Sequence, residues 1–204
     1  STPLYSSAAS DVYKRQILDC LGNKKLQIAF GVESSNEYIR NQIHKKGLDE
    51  NTYIKAMNIL LDLNVHVLIY VFVKPPIPYI TDDEAIDDAM KTIKDSFDKG
   101  AYAVELECGY IVENSDMYNL YKNGRYKPLS FWSIQKLLKN AIALNRGIVR
   151  LAYFSDTPKP IAGPSNCEKC NDKFIKMFDE YRETLDPKVL FEEIQCECKK
   201  YIIR

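Results

Sequence analysis

Histidine and tryptophan are scarce in this chain of 204 residues, which has two of the first and one of the second. Catalysis built on a histidine triad or a histidine pair therefore has little to work with. An excess of either charge is missing too. Its 28 Lys and Arg balance 28 Asp and Glu, so overall charge supplies no electrostatic footprint for nucleic acid. No apolar run approaches the roughly 20 residues that a membrane-spanning helix needs, and no segment reads as a secretory signal. The expected setting is a soluble cytoplasmic protein, with no membrane partner.

The sequence has no initiator Met, and residues 6–16, SSAASDVYKRQ, resemble the in-frame translation of a transposase-type sequencing adapter. Residues 1–5 fit a primer read in the same frame. On this reading 1–16 are adapter-derived, the biological chain starts near Ile17, and a natural N-terminal part of unknown length is missing. A motif absent from these residues is then no argument against its chemistry. Without Lys14, Arg15 and Asp11 the charge balance shifts by one to the acidic side.

What is present is an alternation of apolar strands and amphipathic segments, the pattern of βαβ units and a parallel sheet. Strands are expected at 26–33, 65–73, 102–108 and 147–154, with helices at 36–45, 49–63, 81–99 and 130–144. Thr81 with Glu84 three residues later is a capping box, and Gly47 and Gly100 are placed to close helices. Pro75 and Pro76 stop the second strand. Residues 113–127 read as a polar loop. The proline-rich 156–166 is the best linker, which divides the chain into an α/β unit, 17–155, and a cysteine-bearing module, 156–204.

Alternation within the strands favours a barrel over a flat sheet. Leu26, Ile28, Phe30 and Val32 fall on one face, suited to packing under helices. Gln27, Ala29, Gly31 and Glu33 fall on the other, suited to a crowded lumen. Glu105 and Glu107 alternate in the same way with Val104, Leu106 and Cys108. Two strands thus aim carboxylates at a common interior, near the C-terminal strand ends where barrels carry their sites. The plain alternative is an edge strand with both glutamates in water. A barrel cut in half would also leave apolar lumen open.

Four of the six cysteines lie in close pairs, Cys167 and Cys170, then Cys196 and Cys198. A C-x2-C and a C-x-C brought together supply four soft ligands, fit for tetrahedral zinc or an auxiliary iron–sulfur cluster. Metal binding in a reducing compartment explains this clustering better than a disulfide framework. Unliganded structural thiols are the alternative.

As an ordered set, IAFGVESSNEYIR (28–40), KKGLDENTY (45–53) and VHVLIYVFVKPPIPYITDDEAIDDAMKTI (65–93) resemble the second half of a radical S-adenosylmethionine enzyme. YKNGRYKPLSFWS (121–133) and the tail DTPKPIAGPSNCEKCND (156–172) resemble the archaeosine-synthase-like and elongator-like branch in particular. The resemblance implies an α/β fold, the second half of a partial (β/α) barrel followed by a small C-terminal four-cysteine module. It also implies S-adenosylmethionine and a 4Fe-4S cluster as cofactors, action on a modified base of tRNA, and a partner subunit. The family's C-x3-C-x2-C cluster loop is not in these 204 residues. It is expected upstream of Ile17, so the chain as it stands is expected to be inactive.

By the same resemblance Glu33 is placed to accept hydrogen bonds from the cofactor's ammonium or ribose, and Lys45 or Lys46, Lys46 foremost, to neutralise its carboxylate. Glu107 leads the substrate contacts, with Glu105 deeper in the lumen and Lys74 at the rim. His66, at its strand's start, reads as structural, and His44 as an ordinary surface residue at a helix end, where positive charge is favoured. Phe131 and Trp132 read as core. Two rivals stand beside this reading. One is a non-enzymatic zinc-binding interaction module on an α/β half-barrel, and the other an ordinary barrel enzyme using Glu105 and Glu107 as acid and base.

Overall fold

The computed structural model describes residues 25–155, 157 and 159–202, together with Gln16 and Cys20. The adapter-like segment before Gln16 and the start near Ile17 lie outside them, and Cys20, read as structural, is exposed.

Four strands, β1 (Gln27–Glu33), β2 (His66–Val73), β3 (Ala103–Cys108) and β4 (Ile148–Leu151), form one parallel sheet in the order β1-β2-β3-β4. Val67, Ile69, Val71 and Val73 point to one side, where they meet Val104, Leu106, Val149 and Leu151 in one core. Helices α1 (Glu50–Asp62), α2 (Asp82–Asp98), α4 (Phe131–Ala143) and α5 (Glu168–Thr184) cover this side. Such β-branched runs are what a parallel strand buried under helices requires. The opposite face carries Gly31, Tyr70, Glu105 and Arg150 across one register row. The molecule therefore has the expected α/β architecture, a run of parallel strands with helices outside and a concave polar face inside.

Capping follows the sequence closely. The Thr81 hydroxyl accepts from the Glu84 amide at 3.2 Å, while the Glu84 carboxylate accepts from the Thr81 amide at 2.8 Å. Asp49 caps α1 and Ser130 caps α4. Each cap stabilises its helix by about 1 kcal/mol.

Elsewhere the structure differs from expectation. The helix anticipated at 36–45 is present but shorter, helical over 37–43, and it widens into a π turn at Ile39–Ile43, closed by a bond from the His44 amide to the Ile39 carbonyl. The Asn36 side chain accepts from the amides of Tyr38 and Ile39, and Lys45 turns the chain away at φ 56°. Residues 113–127 contain a short helix, α3 (Asp116–Lys122), capped by Ser115. On the concave face Leu68 and Ala103 are buried, Tyr70 and Phe72 are half-buried, and Ala29 is exposed.

Packing runs across residue 155. Phe154 from the sheet side, Phe131 from α4, and Phe174 and Phe178 from α5 form one aromatic cluster with ring centroids 5.4–5.9 Å apart. The Tyr181 hydroxyl donates to the Val149 carbonyl at 2.6 Å, and Arg182 donates to the carbonyls of Leu151 and Ala152. A 3-10 turn (Pro187–Phe191) and a short α6 (Lys199–Ile202) complete the chain.

Candidate functional site

At the C-terminal ends of β1, β2 and β3 a cleft of about 390 Å³ opens, lined among others by Gly31, Glu33, Lys46, Phe72 and Glu107. A β-bulge at the end of β1 puts Glu33, not Val32, opposite Val71, which re-aims the side chain as bulges at sheet rims do. Glu33 takes φ 64° there, a left-handed conformation that costs a non-glycine residue about 1–3 kcal/mol and is held only by its surroundings.

Those surroundings centre on Arg40, whose side chain is fully buried. Its guanidinium donates to the carbonyls of Leu48 at 2.7 Å, Ser34 at 3.0 Å and Ser35 at 3.3 Å, and pairs with Glu50 at 3.3 Å. The Arg40 carbonyl accepts from the Lys46 amide. One buried cation thus fixes both ends of the loop carrying Glu33 and Lys46. Ser34 adds a bond to Asp88, and the Ser35 amide one to Thr92, tying the loop to α2.

Lys46 Nζ lies 2.6 Å from Glu33 Oε1, and this pair spans Gly31. A methyl group at position 31 would overlap Glu33 Oε1 and stand 2.8 Å from Lys46 Nζ, so a side chain there would displace the pair. Gly109 plays a similar part at the end of β3, where a Cβ would come within 2.7 Å of the Phe72 ring.

Glu107 faces the same cleft. Burial first, then the charges of Glu105 and Glu33, push its carboxyl up to about 7. Near neutral pH it is part protonated and able to donate or accept a hydrogen bond. Glu105 sits one alternation deeper, in register with Tyr70 and Arg150. Burial and the two glutamates hold Tyr70 above the ordinary tyrosine range.

The structure thus gathers three of the sequence-derived candidates, Glu33, Lys46 and Glu107, around one cleft, with Glu105 in the next row down. Lys74 is elsewhere. Its side chain is 5% exposed, and its ammonium meets Asp82 at 2.6 Å. Asp82, despite its burial, is kept below the usual carboxylate range by hydrogen bonds from Lys74 and Ser133. The Lys74 carbonyl accepts from the Tyr126 hydroxyl at 2.7 Å, so the strand end is locked to the segment after α3. His66 stacks on Tyr102 with centroids 3.9 Å apart. His44 differs from its surface reading. It packs on Phe72 at 4.8 Å, and burial, then Lys46, push its imidazole down to about 4, so it is neutral.

Sequence reasoning passed over Arg40 and the spatial role of Gly31. A glycine amid large strand residues was a signal; the burial of Arg40 left none, since a charged residue in a turn normally reads as solvated.

The second group of reactive side chains is the thiol cluster. Sγ atoms of Cys167, Cys170, Cys196 and Cys198 all lie within 4.8 Å of one another. Cys167 is 3.4 Å from Cys196 and 3.7 Å from Cys170, and Cys170 is 3.6 Å from Cys198. Four thiolates about 2.3 Å from one tetrahedral ion would be spaced by roughly 3.8 Å, so this group could hold a single metal ion. In a cubane cluster each cysteine binds a different iron, which spreads the sulfurs farther apart. No helix among the described residues is long and apolar enough to cross a membrane.

No protein-family model matches the chain. It is 27% identical over 190 residues to archaeosine synthase subunit beta of Methanosarcina acetivorans, covering 90% of this chain and 51% of that protein. An uncharacterized protein of Methanocaldococcus jannaschii is 27% identical over 176 residues, covering 85% and 47%. Among solved structures, Methanocaldococcus infernus Elp3 with an N-terminal deletion superposes with a TM-score of 0.55 at 19% identity, covering 81% of this chain and 38% of that one. The chain therefore spans about half the length of the curated relatives it matches. It is a homologue of archaeosine synthase subunit beta with an Elp3-like fold, which agrees with the archaeosine-synthase-like and elongator-like branch to which its motifs point.

Proposed function

We propose that this chain is part of a radical S-adenosylmethionine enzyme of tRNA modification, working with a partner subunit in the cytoplasm. The observation that carries the reading is the Glu33–Lys46 pair across Gly31, opposite the raised carboxyl of Glu107, in a homologue of an archaeosine synthase subunit.

The cleft fits the amino-acid end of S-adenosylmethionine. Glu33 and Lys46 satisfy each other at 2.6 Å, and a ligand with its own ammonium and carboxylate can replace that contact with two complementary ones. Glu33 would accept from the ammonium or the ribose, and Lys46 would meet the carboxylate. The 4Fe-4S cluster is another matter, because no C-x3-C-x2-C occurs in these residues and its ligand loop is not among them. When bound, cluster and cofactor supply a 5′-deoxyadenosyl radical. This chain's residues bind and orient: Arg40 fixes the loop, Glu107 offers a substrate base a hydrogen bond of either sense, and Glu105 and Tyr70 extend the polar wall beneath. The thiol cluster, read as a zinc site, fastens the tail that carries Cys196 and Cys198 to the start of α5.

Two measurements test this. Sequencing the source DNA upstream of codon 17 should find an in-frame C-x3-C-x2-C; a start codon next to Ile17 without it would sink the enzyme and favour the interaction module. Titration calorimetry of S-adenosylmethionine into the protein should show binding that Glu33→Gln weakens about 10-fold, as loss of one charge-assisted hydrogen bond does.

A further inference from the structure

The single tryptophan lies against the thiol cluster. Trp132, in the first turn of α4, is 4% exposed, and its indole N–H donates to Cys198 Sγ at 3.5 Å. The ring is held edge-on to Phe174, with centroids 4.6 Å apart. Lys199, next to Cys198 in the chain, places its ammonium 5.0 Å from the centroid of the same ring. Packing alone explains a buried indole but not the aim of its one donor. Buried indole N–H groups find a partner, and a neutral thiol is a poor acceptor beside the backbone carbonyls that usually serve.

Four thiolates around one divalent cation leave two surplus negative charges. A donor aimed at one sulfur and a cation held close by are what such a centre needs around it, because outer partners orient the ligands and spread their charge. An N–H to a thiolate is also charge-assisted, and so stronger than the same bond to a thiol. We infer that Trp132 is a positioning residue of the metal centre: its indole N–H donates to the metal-bound Cys198 thiolate, with Lys199 offsetting the remaining charge, and so couples metal occupancy to the docking of 185–202 on α4. The inference rests on reading the four thiols as a metal site. It assigns to α4, an element of the sheet unit, a hydrogen bond within a centre whose ligands all come from after residue 166.

The test is zinc affinity, measured anaerobically on the full chain by competition with a chromophoric chelator. Trp132→Phe keeps an aromatic ring on Phe174 and removes the donor; affinity should fall about 10- to 100-fold, the usual cost of losing an outer-shell partner. Phe174→Leu loosens the same packing and keeps the donor, and should change affinity less than threefold. Equal losses in both variants, or no loss in Trp132→Phe, would overturn the inference. Nuclear magnetic resonance on the parent chain needs no variant. Loaded with a spin-half isotope of cadmium, it should show scalar coupling between the metal and the indole proton across the N–H···S bond, and a well-resolved indole signal without that coupling would overturn the inference. A parent chain that binds no zinc would overturn both this inference and the metal reading beneath it, whereas failure of cofactor binding at Glu33 and Lys46 would leave both standing.

Discussion

The cleft and the thiol cluster are organised in opposite ways. Around Glu33 and Lys46 the shape is set by protein alone: Arg40 satisfies three carbonyls and one carboxylate, and the strained Glu33 backbone is held in place before any ligand arrives. At the cysteines the protein supplies four soft ligands within 4.8 Å, one of them bonded by the Trp132 indole, and a bound ion would provide the remaining cohesion. On the reading proposed above, one site would receive a ligand that comes and goes, and the other would keep one.

The most forceful way to sharpen that contrast is to remove the metal. With a strong chelator the thermal midpoint should fall by on the order of 10 °C, as a structural ion's binding energy leaves the folded state. Circular dichroism would show this, with most of the loss in α5, and an unchanged midpoint would mean that the thiols hold no ion. Next in size is Arg40→Leu, which leaves the carbonyls of Ser34 and Ser35 without their buried donor, while Leu48 keeps its bond from Asn41 and Glu50 its pair with Lys99. We expect a loss of about 3–5 kcal/mol in urea unfolding, with zinc affinity within twofold of the parent.

A smaller effect comes from Glu107→Gln, and its sign follows from proton linkage. The folded carboxyl is raised to about 7 from the ordinary glutamate value of 4.5, so between these values the native state holds more protons than the unfolded one, and stability falls as pH rises through that window. The amide removes this cost. The variant should melt a few degrees above the parent at pH 8, corresponding to about 1 kcal/mol, and together with it near pH 4.5; equal midpoints at pH 8 would show that Glu107 ionises normally. Smallest of all, Lys45→Ala breaks the pair with Asp116, whose side chains are 73% and 75% exposed. Double-mutant cycles on that pair should give less than about 0.5 kcal/mol.

The two sites were unequally legible in the sequence. Two cysteine pairs announce a ligand set because each pair is local, and only the closing of the 25 residues between them had to be guessed. The strands and the Thr81–Glu84 box were equally plain, since period-2 alternation and capping are written within a few positions. Glu33 and Lys46 sit at the two ends of one loop closed by Arg40, whereas Glu107 comes from β3 and joins them only through the parallel order of the strands. The loop after β1 was harder still. Its periodicity suggested a helix, and Asn36 does cap one by accepting from two amides, but the bond from the His44 amide to the Ile39 carbonyl widens it into a π turn. His44 was misread for a related reason, because nothing local shows that Phe72 from the next strand will cover it. Lys74 at a strand end read as a rim cation, while its bond to Asp82 depends on how α2 folds back.

The placement of Trp132 has an optical consequence. With one indole in the chain, packed against a cysteine sulfur and far in sequence from the cleft, tryptophan emission reports on the C-terminal centre and is nearly blind to the glutamates. Sulfur close to an excited indole quenches it, and that quenching should change as the thiols take up an ion. Tyrosines line the cleft instead, among them Tyr70 and Tyr110. Excitation at the red edge of the absorption band, where tyrosine does not absorb, therefore follows the thiol centre by itself in an unlabelled sample.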